Sequence, residues 1–416
     1  MTADNMIAHV PDAAVAYPET YADMGGLHRL LSRLRSADRL TWIEPEGYRP
    51  FWLVTRHADI LAIEKDADRF INAPLQALLS DAQLKQAEQA AALADGNESM
   101  RNIAGMDGVD HRKYREIAQA YFTPKGLAEV VNQIEVLVKE FVDRMVEGGE
   151  CDFAEIATAY PLRVIMHILG IPLEKEAEMR SLAQQTLTSQ DPEFQQDGGA
   201  LAALMGMFEY FGRIVADRRA NPTGDLASVI ANARIDGEYV PMRDVLGYFF
   251  VVITAGHDTT SYALSGGLLA LIQNPAEMQK LRDDPALIPN AVEEILRWTT
   301  PVKHFCRTAT EDCEYAGKQI RKGDILLLSY PSANRDEAVF ADPFAFRIDR
   351  KPNRQLAFGT GPHVCLGQYL ARFELIAFLR ELLGRFDQIE LAGNPRFVES
   401  SFVGGPKYLP IRYQIR

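Results

Sequence analysis

Residues 358–367 read FGTGPHVCLG, with one cysteine, Cys365, set among glycines and followed two residues later by Gly367. His363 stands two places before it, and Phe358 opens the segment. Gly359 and Gly361 permit a tight loop and a close approach of backbone to something flat. A helix is predicted over 367–385, which puts Cys365 at a helix N-terminus. Free N–H groups and the helix dipole favour an anion there, so the thiol is expected to ionise easily. A thiolate can be a nucleophile, a redox centre or a metal ligand. A nucleophile needs a base, and His363 could serve. A redox thiol needs a resolving cysteine, and none is close in sequence. A ligand needs a metal, with further ligands coming from a cofactor. The cysteine alone does not decide.

Three other groupings bear on that choice. AGHDTT, residues 255–260, sets Ala255, Gly256, Asp258 and Thr259 in the middle of an apolar run. A buried aspartate costs several kcal/mol unless partnered. A threonine hydroxyl can bond back to a carbonyl one turn earlier. Together they predict a polar notch for one small molecule beside a hydroxyl and a carboxylate, an arrangement suited to proton delivery. In EEILR, Glu294 and Arg297 stand three apart on one helix face. In DHRKYR, His111 and Arg115 stand four apart. With Arg307 and His363 they make a cationic set from remote segments, suited to a ligand with two carboxylates.

These residues need a scaffold. The chain has 416 residues, 47% hydrophobic and 24% charged, enough for a large core. Its net charge of −13 disfavours general nucleic-acid or anionic-membrane binding. The first twenty residues do not pattern as a signal peptide, and no run of about 20 residues stays apolar enough to span a bilayer. A cytoplasmic location is expected. Of the other cysteines, Cys151, Cys306 and Cys313 read as small buried hydrophobes rather than disulfide partners. Helical periodicity covers 135–147, 201–219, 243–273, 289–298 and 367–385. The 243–273 helix, roughly 45 Å long, is expected to run through the core. Strand-like runs at 50–56, 324–330 and 407–415 read as one small sheet. The fold class is mainly α with a small β region, in one domain over 1–416. The stretches 73–107 and 186–199 read as flexible coverings of a binding site.

In order and spacing, these motifs resemble the cytochrome P450 haem-thiolate monooxygenases. FGTGPHVCLG matches the family's Phe-x-x-Gly-x-x-x-Cys-x-Gly ligand loop, AGHDTT its oxygen-activation motif, EILR its Glu-x-x-Arg and HRKYR its His-x-x-x-Arg. RTATEDCEYAG resembles the segment that carries a further propionate-binding arginine. TAGHDTT, DPALIP, RWTTPVK, LSYPSANRDE and SFVGGPK are similar to the bacterial subgroup with the α-terpineol hydroxylase and aromatic-hydrocarbon-binding relatives. One departure is Gln355, where bacterial members usually carry histidine.

The resemblance implies the cytochrome P450 fold and haem b, with Cys365 as the axial iron ligand. His111, Arg115, Ala255, Gly256, Arg307, Phe358, Gly359, His363 and Gly367 would contact the cofactor. Asp258 and Thr259 would manage protons for O2 chemistry, with oxygen in the notch by Gly256. Glu294 and Arg297 would form a structural pair, with Arg350 as the third member. A small hydrophobic substrate, a monoterpenoid or alkyl-aromatic, would meet Val302, Phe305, Phe402 and Val403. Electrons would come from a [2Fe–2S] ferredoxin with an NAD(P)H-dependent reductase, docking on Arg112, Lys113, Arg354 and Arg372. Two rivals are a non-catalytic haem-binding sensor or carrier and a cysteine-nucleophile hydrolase using Cys365 and His363.

Overall fold

The computed structural model describes residues 10–93, 101–146, 148–187, 190–194 and 199–416. The expected coverings at 73–107 and 186–199 therefore lie partly outside the described residues.

The apolar run predicted over 243–273 forms one continuous helix, Met242–Gln273 (the long helix), at the centre of the main core. Its most extensive neighbour is the crossing helix, Phe153–Ile168. Small residues set these approaches. A Cβ on Gly256 would lie 2.5 Å from Ile165 Cδ1 of the crossing helix. One on Gly267 would lie 2.6 Å from Ile295 Cγ2 of helix Ile288–Thr299. The predicted helices at 135–147, 201–219 and 289–298 are found as Ala128–Val146, Gly199–Ala220 and Ile288–Thr299. The last predicted helix is Gln368–Arg385, with Gly367 at its N-cap.

The strand-like runs do not form one sheet. Phe51–Val54 and Ile325–Ser329 pair in parallel inside a five-stranded sheet, in the order Leu40–Ile43, Phe51–Val54, Ile325–Ser329, His304–Ala309, Phe70–Ile71. The run at 407–415 divides at Leu409. Pro406–Tyr408 pairs with Arg396–Phe397, and Pro410–Ile415 joins a separate three-stranded sheet with Phe386–Leu391 and Glu150–Asp152. Pro410 has no N–H to continue a ladder, which is why a boundary falls there. The five-stranded sheet carries Phe305 and Arg307 on one strand, with Val302 just before it. Among the described residues, no helix is long and apolar enough to cross a membrane.

Candidate active site

The long helix is buried along most of its length, but Ala255 near its middle is exposed and Thr259 one turn later is half-buried. The loop from Ala357 to Gln368 has no fully buried residue. Thr259 Oγ1 donates to the Ala255 carbonyl at 2.8 Å. Its hydrogen is thus engaged along the helix, while its oxygen lone pairs can still accept. Gly256 is placed differently from expectation. Its open side faces Ile165, so the glycine serves the helix crossing, while Ala255 and Thr259 keep accessible surface.

Cys365 keeps some accessible surface. Its backbone N–H donates to the Phe358 carbonyl at 2.9 Å, closing the loop on itself. Contrary to the sequence expectation, the thiol is not easily ionised. Burial pushes it up, against the lowering effects of the Gly367 N–H, Arg115 and Arg372. A thiol held up in this way suits a metal ligand, because coordination removes its proton directly. It does not suit a nucleophile.

The geometry of His363 points the same way. Its Nδ1 lies 3.1 Å from Asn72 Nδ2, and its Nε2 lies 3.4 Å from Asp107 Oδ1. Asn72 donates, so Nδ1 accepts and Nε2 carries the hydrogen toward Asp107. Both ring nitrogens are engaged away from the sulfur, and the hydrolase reading loses its base. The ring stacks on His111, with centroids 3.9 Å apart. Burial, then His363 and Arg115, push His111 down to about 4. Arg115 donates to the Val364 carbonyl at 2.7 Å.

Arg307 is buried in the five-stranded sheet and pairs at 3.1 Å with Glu64 of helix His57–Lys65. Tyr330 donates to the same carboxylate at 2.7 Å. This helix also explains the loop glycines. Gly359 and Gly361 both have left-handed backbones, with φ of 63° and 67°. A Cβ on Gly359 would lie 3.2 Å from Glu64 Oε1, and one on Gly361 would overlap the Glu64 backbone carbonyl. The loop is therefore pressed against the end of helix His57–Lys65, which the sequence reading did not foresee.

The four residues of the expected cationic set thus gather around residues 359–365, Arg307 by way of Glu64, together with two unexpected acids, Glu64 and Asp107; burial makes His111 a neutral member, against the expectation. A thiol donor, accessible surface on Ala255 and Thr259 of the long helix, and two arginines with two histidines beside the loop fit haem b and its two propionates.

The supporting residues are well bonded. Glu294 and Arg297 are both fully buried, with Arg297 Nε and Nη2 at 2.8 and 2.7 Å from the carboxylate. Arg350 joins them, with Nε 3.2 and 3.1 Å from the two oxygens. Gln355 is held by Glu293 at 3.0 Å and accepts from the Ala357 N–H at 2.6 Å, so the departure is accommodated. Glu293 also binds Arg372 at 2.6 Å, and Lys113 pairs with Asp236 at 2.5 Å. Two cations of the expected docking patch are thus tied to acids, while Arg112 and Arg354 are exposed.

Val302, Phe305 and Phe402 are half-buried, with the Phe305 and Phe402 rings 5.6 Å apart. Val403 is buried with Tyr262 and Val398, so it backs this cluster. The polar residues 190–194 are firmly anchored. Asp191 is fully buried, 2.8 Å from Lys407, and accepts from the Glu399 N–H at 3.0 Å. Gln190 Oε1 accepts from Ser400 and Ser401, and Phe194 packs on the Val403 cluster.

A family model described as Cytochrome P450 matches residues 203–407. The chain is 38% identical to cytochrome P450-terp of a Pseudomonas species, covering 96% of each chain. It is 31% identical to linalool 8-monooxygenase of Pseudomonas putida, covering 92% of this chain and 95% of that one. The crystal structure of CYP108D1 from Novosphingobium aromaticivorans matches with a TM-score of 0.89 at 39% identity, over 97% of this chain and 98% of that one. With this cysteine loop at the start of helix Gln368–Arg385 and relatives matching along nearly its whole length, this chain belongs to the cytochrome P450 family of haem-b monooxygenases.

Proposed function

We propose that this chain hydroxylates a small hydrophobic substrate, a monoterpenoid or an alkyl-aromatic, with O2 and electrons from a [2Fe–2S] ferredoxin and its NAD(P)H-dependent reductase. The observation that carries the reading is the cysteine loop, closed by the Cys365 N–H on the Phe358 carbonyl, together with an exposed Ala255 and a half-buried Thr259 in an otherwise buried helix. Terpenoid names among the relatives and the apolar lining by Val302, Phe305 and Phe402 support the substrate class.

Haem b, when bound, supplies O2 activation and C–H oxidation; the protein supplies position and protons. Cys365 would hold the iron. His111, Arg115, Arg307 and His363 would hold the propionate edge, with Glu64 and Asp107 fixing the last two. Thr259 Oγ1 would accept a hydrogen bond on its accessible side while its own hydrogen stays on the Ala255 carbonyl. Asp258, buried one residue earlier, would be the proton donor behind it. The half-buried apolar side chains would keep water from the reacting C–H bond. The exposed cations Arg112 and Arg354 would meet an acidic ferredoxin, with attraction acting mainly on the association rate.

The test starts with the reduced, carbon-monoxide-bound spectrum, then a spin-state screen of monoterpenoids, alkyl-aromatics and steroids. Turnover follows with ferredoxin, reductase and NADH. A red-shifted Soret band and oxygenated product from a monoterpenoid or alkyl-aromatic are expected. Thr259→Ala is expected to divert electrons to peroxide. Haem without product would favour the sensor or carrier reading, and coupling that survives in Thr259→Ala would remove that residue's role.

A further inference from the structure

His304 begins strand His304–Ala309, between Val302 and Phe305, and the function above gives it no part. It is fully buried. The Leu78 N–H donates to its Nε2 at 3.0 Å. A backbone N–H only donates, so Nε2 must be the accepting nitrogen. Nδ1 lies 2.8 Å from the Ser401 carbonyl, which only accepts, so Nδ1 carries the hydrogen. The two bonds admit one form of the ring, neutral with its proton on Nδ1. Burial acts the same way, pushing the ring down to about 4. Leu78 is itself buried, so its N–H is presented by a packed segment. That segment also lies along the strand at Gln76, whose carbonyl accepts from the Cys306 N–H at 2.8 Å.

The other end of the ring reaches the turn that carries Phe402. The Ser401 carbonyl precedes Phe402 in the chain, and the carbonyl of Phe402 itself accepts from the Lys303 N–H at 2.8 Å. Two successive residues, Lys303 and His304, thus hold the peptide groups on either side of the Phe402 Cα. The Phe402 ring stands 5.6 Å from the rings of both His304 and Phe305. Val403 beyond it is buried, whereas Phe402 keeps accessible surface. A shift of the Ser401 peptide therefore moves the aromatic side chain that a ligand meets.

We propose that His304 is a positioning residue for substrate choice: through the Ser401 carbonyl it fixes where the Phe402 ring stands, and so sets how bulky a ligand the pocket admits. Leu78 has a part in this, because its N–H holds Nε2 as an acceptor and so keeps the hydrogen on Nδ1. The assignment rests on the monooxygenase reading for the pocket, but pocket shape is measurable without turnover.

The test uses holoenzyme and two haem-ligating azoles of different bulk, 4-phenylimidazole and clotrimazole, with affinities read from the Soret shift. Two variants cut the two bonds separately. The amide of His304→Asn stands where Nδ1 was, so it keeps the Ser401 bond and loses Leu78. The amide of His304→Gln stands where Nε2 was, so it keeps Leu78 and loses Ser401. Each leaves one buried backbone group unpaired, so both should melt lower than the parent by similar amounts. Only His304→Gln should shift the affinity ratio toward clotrimazole, by about three- to tenfold, the worth of one buried hydrogen bond. In a Phe402→Ala background it should add less than about twofold, because the ring it positions is gone. An unchanged ratio in His304→Gln, an equal shift in both variants, or full additivity with Phe402→Ala overturns the proposal. The parent enzyme gives a reading that needs no variant. Nitrogen NMR of 15N-histidine-labelled protein, reduced and carbon-monoxide-bound, should show His304 neutral with its hydrogen on Nδ1; an Nε2–H or doubly protonated ring overturns the proposal. Failure of the parent to oxygenate any monoterpenoid or alkyl-aromatic would instead sink the function reading and leave the azole result standing.

Discussion

Gly361→Ala probes what shapes the cysteine loop. Two separable effects act at this position. The left-handed backbone, φ 67°, costs an alanine roughly 1–2 kcal/mol. The new methyl would also overlap the backbone carbonyl of Glu64 at the end of helix His57–Lys65. A backbone atom cannot rotate aside, so the overlap is expected to add about 1–3 kcal/mol through shifted packing. Gly317 provides the control. Its φ is 76°, and a Cβ there would meet nothing within 4 Å. Gly317→Ala should therefore lose only the backbone part. Urea unfolding of the two holoenzyme variants, with haem content measured in parallel, reads the difference directly. Gly361→Ala should be less stable than Gly317→Ala by about 1–3 kcal/mol and should lose haem at lower urea. Equal stabilities would refute the claim that helix His57–Lys65 dictates the glycine.

Glu294→Gln should cost about 3–5 kcal/mol in urea unfolding, because the buried Arg297 and Arg350 lose their shared counter-charge. His304 should make the fold acid-sensitive. Its Nδ1 donates to the Ser401 carbonyl, its Nε2 accepts from the Leu78 N–H, and burial pushes it down to about 4. Below pH 6.5 the unfolded chain binds the proton more readily, so stability should fall toward pH 4 by at most about 3 kcal/mol. His304→Gln should flatten that slope in pH-dependent melting. Asp191→Asn should weaken substrate binding in spin-shift titrations by up to about tenfold, or 1.4 kcal/mol, because the segment behind Val403 loses its ion pair.

Much of the scaffold was legible because its signals are local. Helical periodicity found the long helix to within a residue at its start, and glycine and cysteine spacing found the loop. Arg350 was reached as the partner of Glu294 only through the family resemblance, which implies a third member for the pair; the spacing of Glu294 and Arg297 alone fits an exposed ion pair equally well. The misreadings share a cause: a partner remote in sequence. Glu64 and Arg307 are 243 residues apart, and no spacing connects them. The one available sign was a carboxylate on the apolar face of DILAIEK. Polar residues 190–194 looked like a loose covering because polarity was read as solvation. In the fold, that polarity is satisfied by Lys407, Ser400 and Ser401. The thiol of Cys365 was expected to ionise from its helix position alone, but burial outweighs the helix end.

The clasp between residues 190–191 and 399–407 bears on how substrate range can change. Phe402 and Val403 sit on a turn whose backbone is bonded to Gln190 and Asp191, some two hundred positions earlier in the chain. A relative's turn grafted alone would arrive without its matching acid and amide. Exchange of substrate preference between family members at this corner should therefore require transplanting two segments as a unit. Recombination libraries with a crossover between them should be depleted of active members when the parents differ at these contacts.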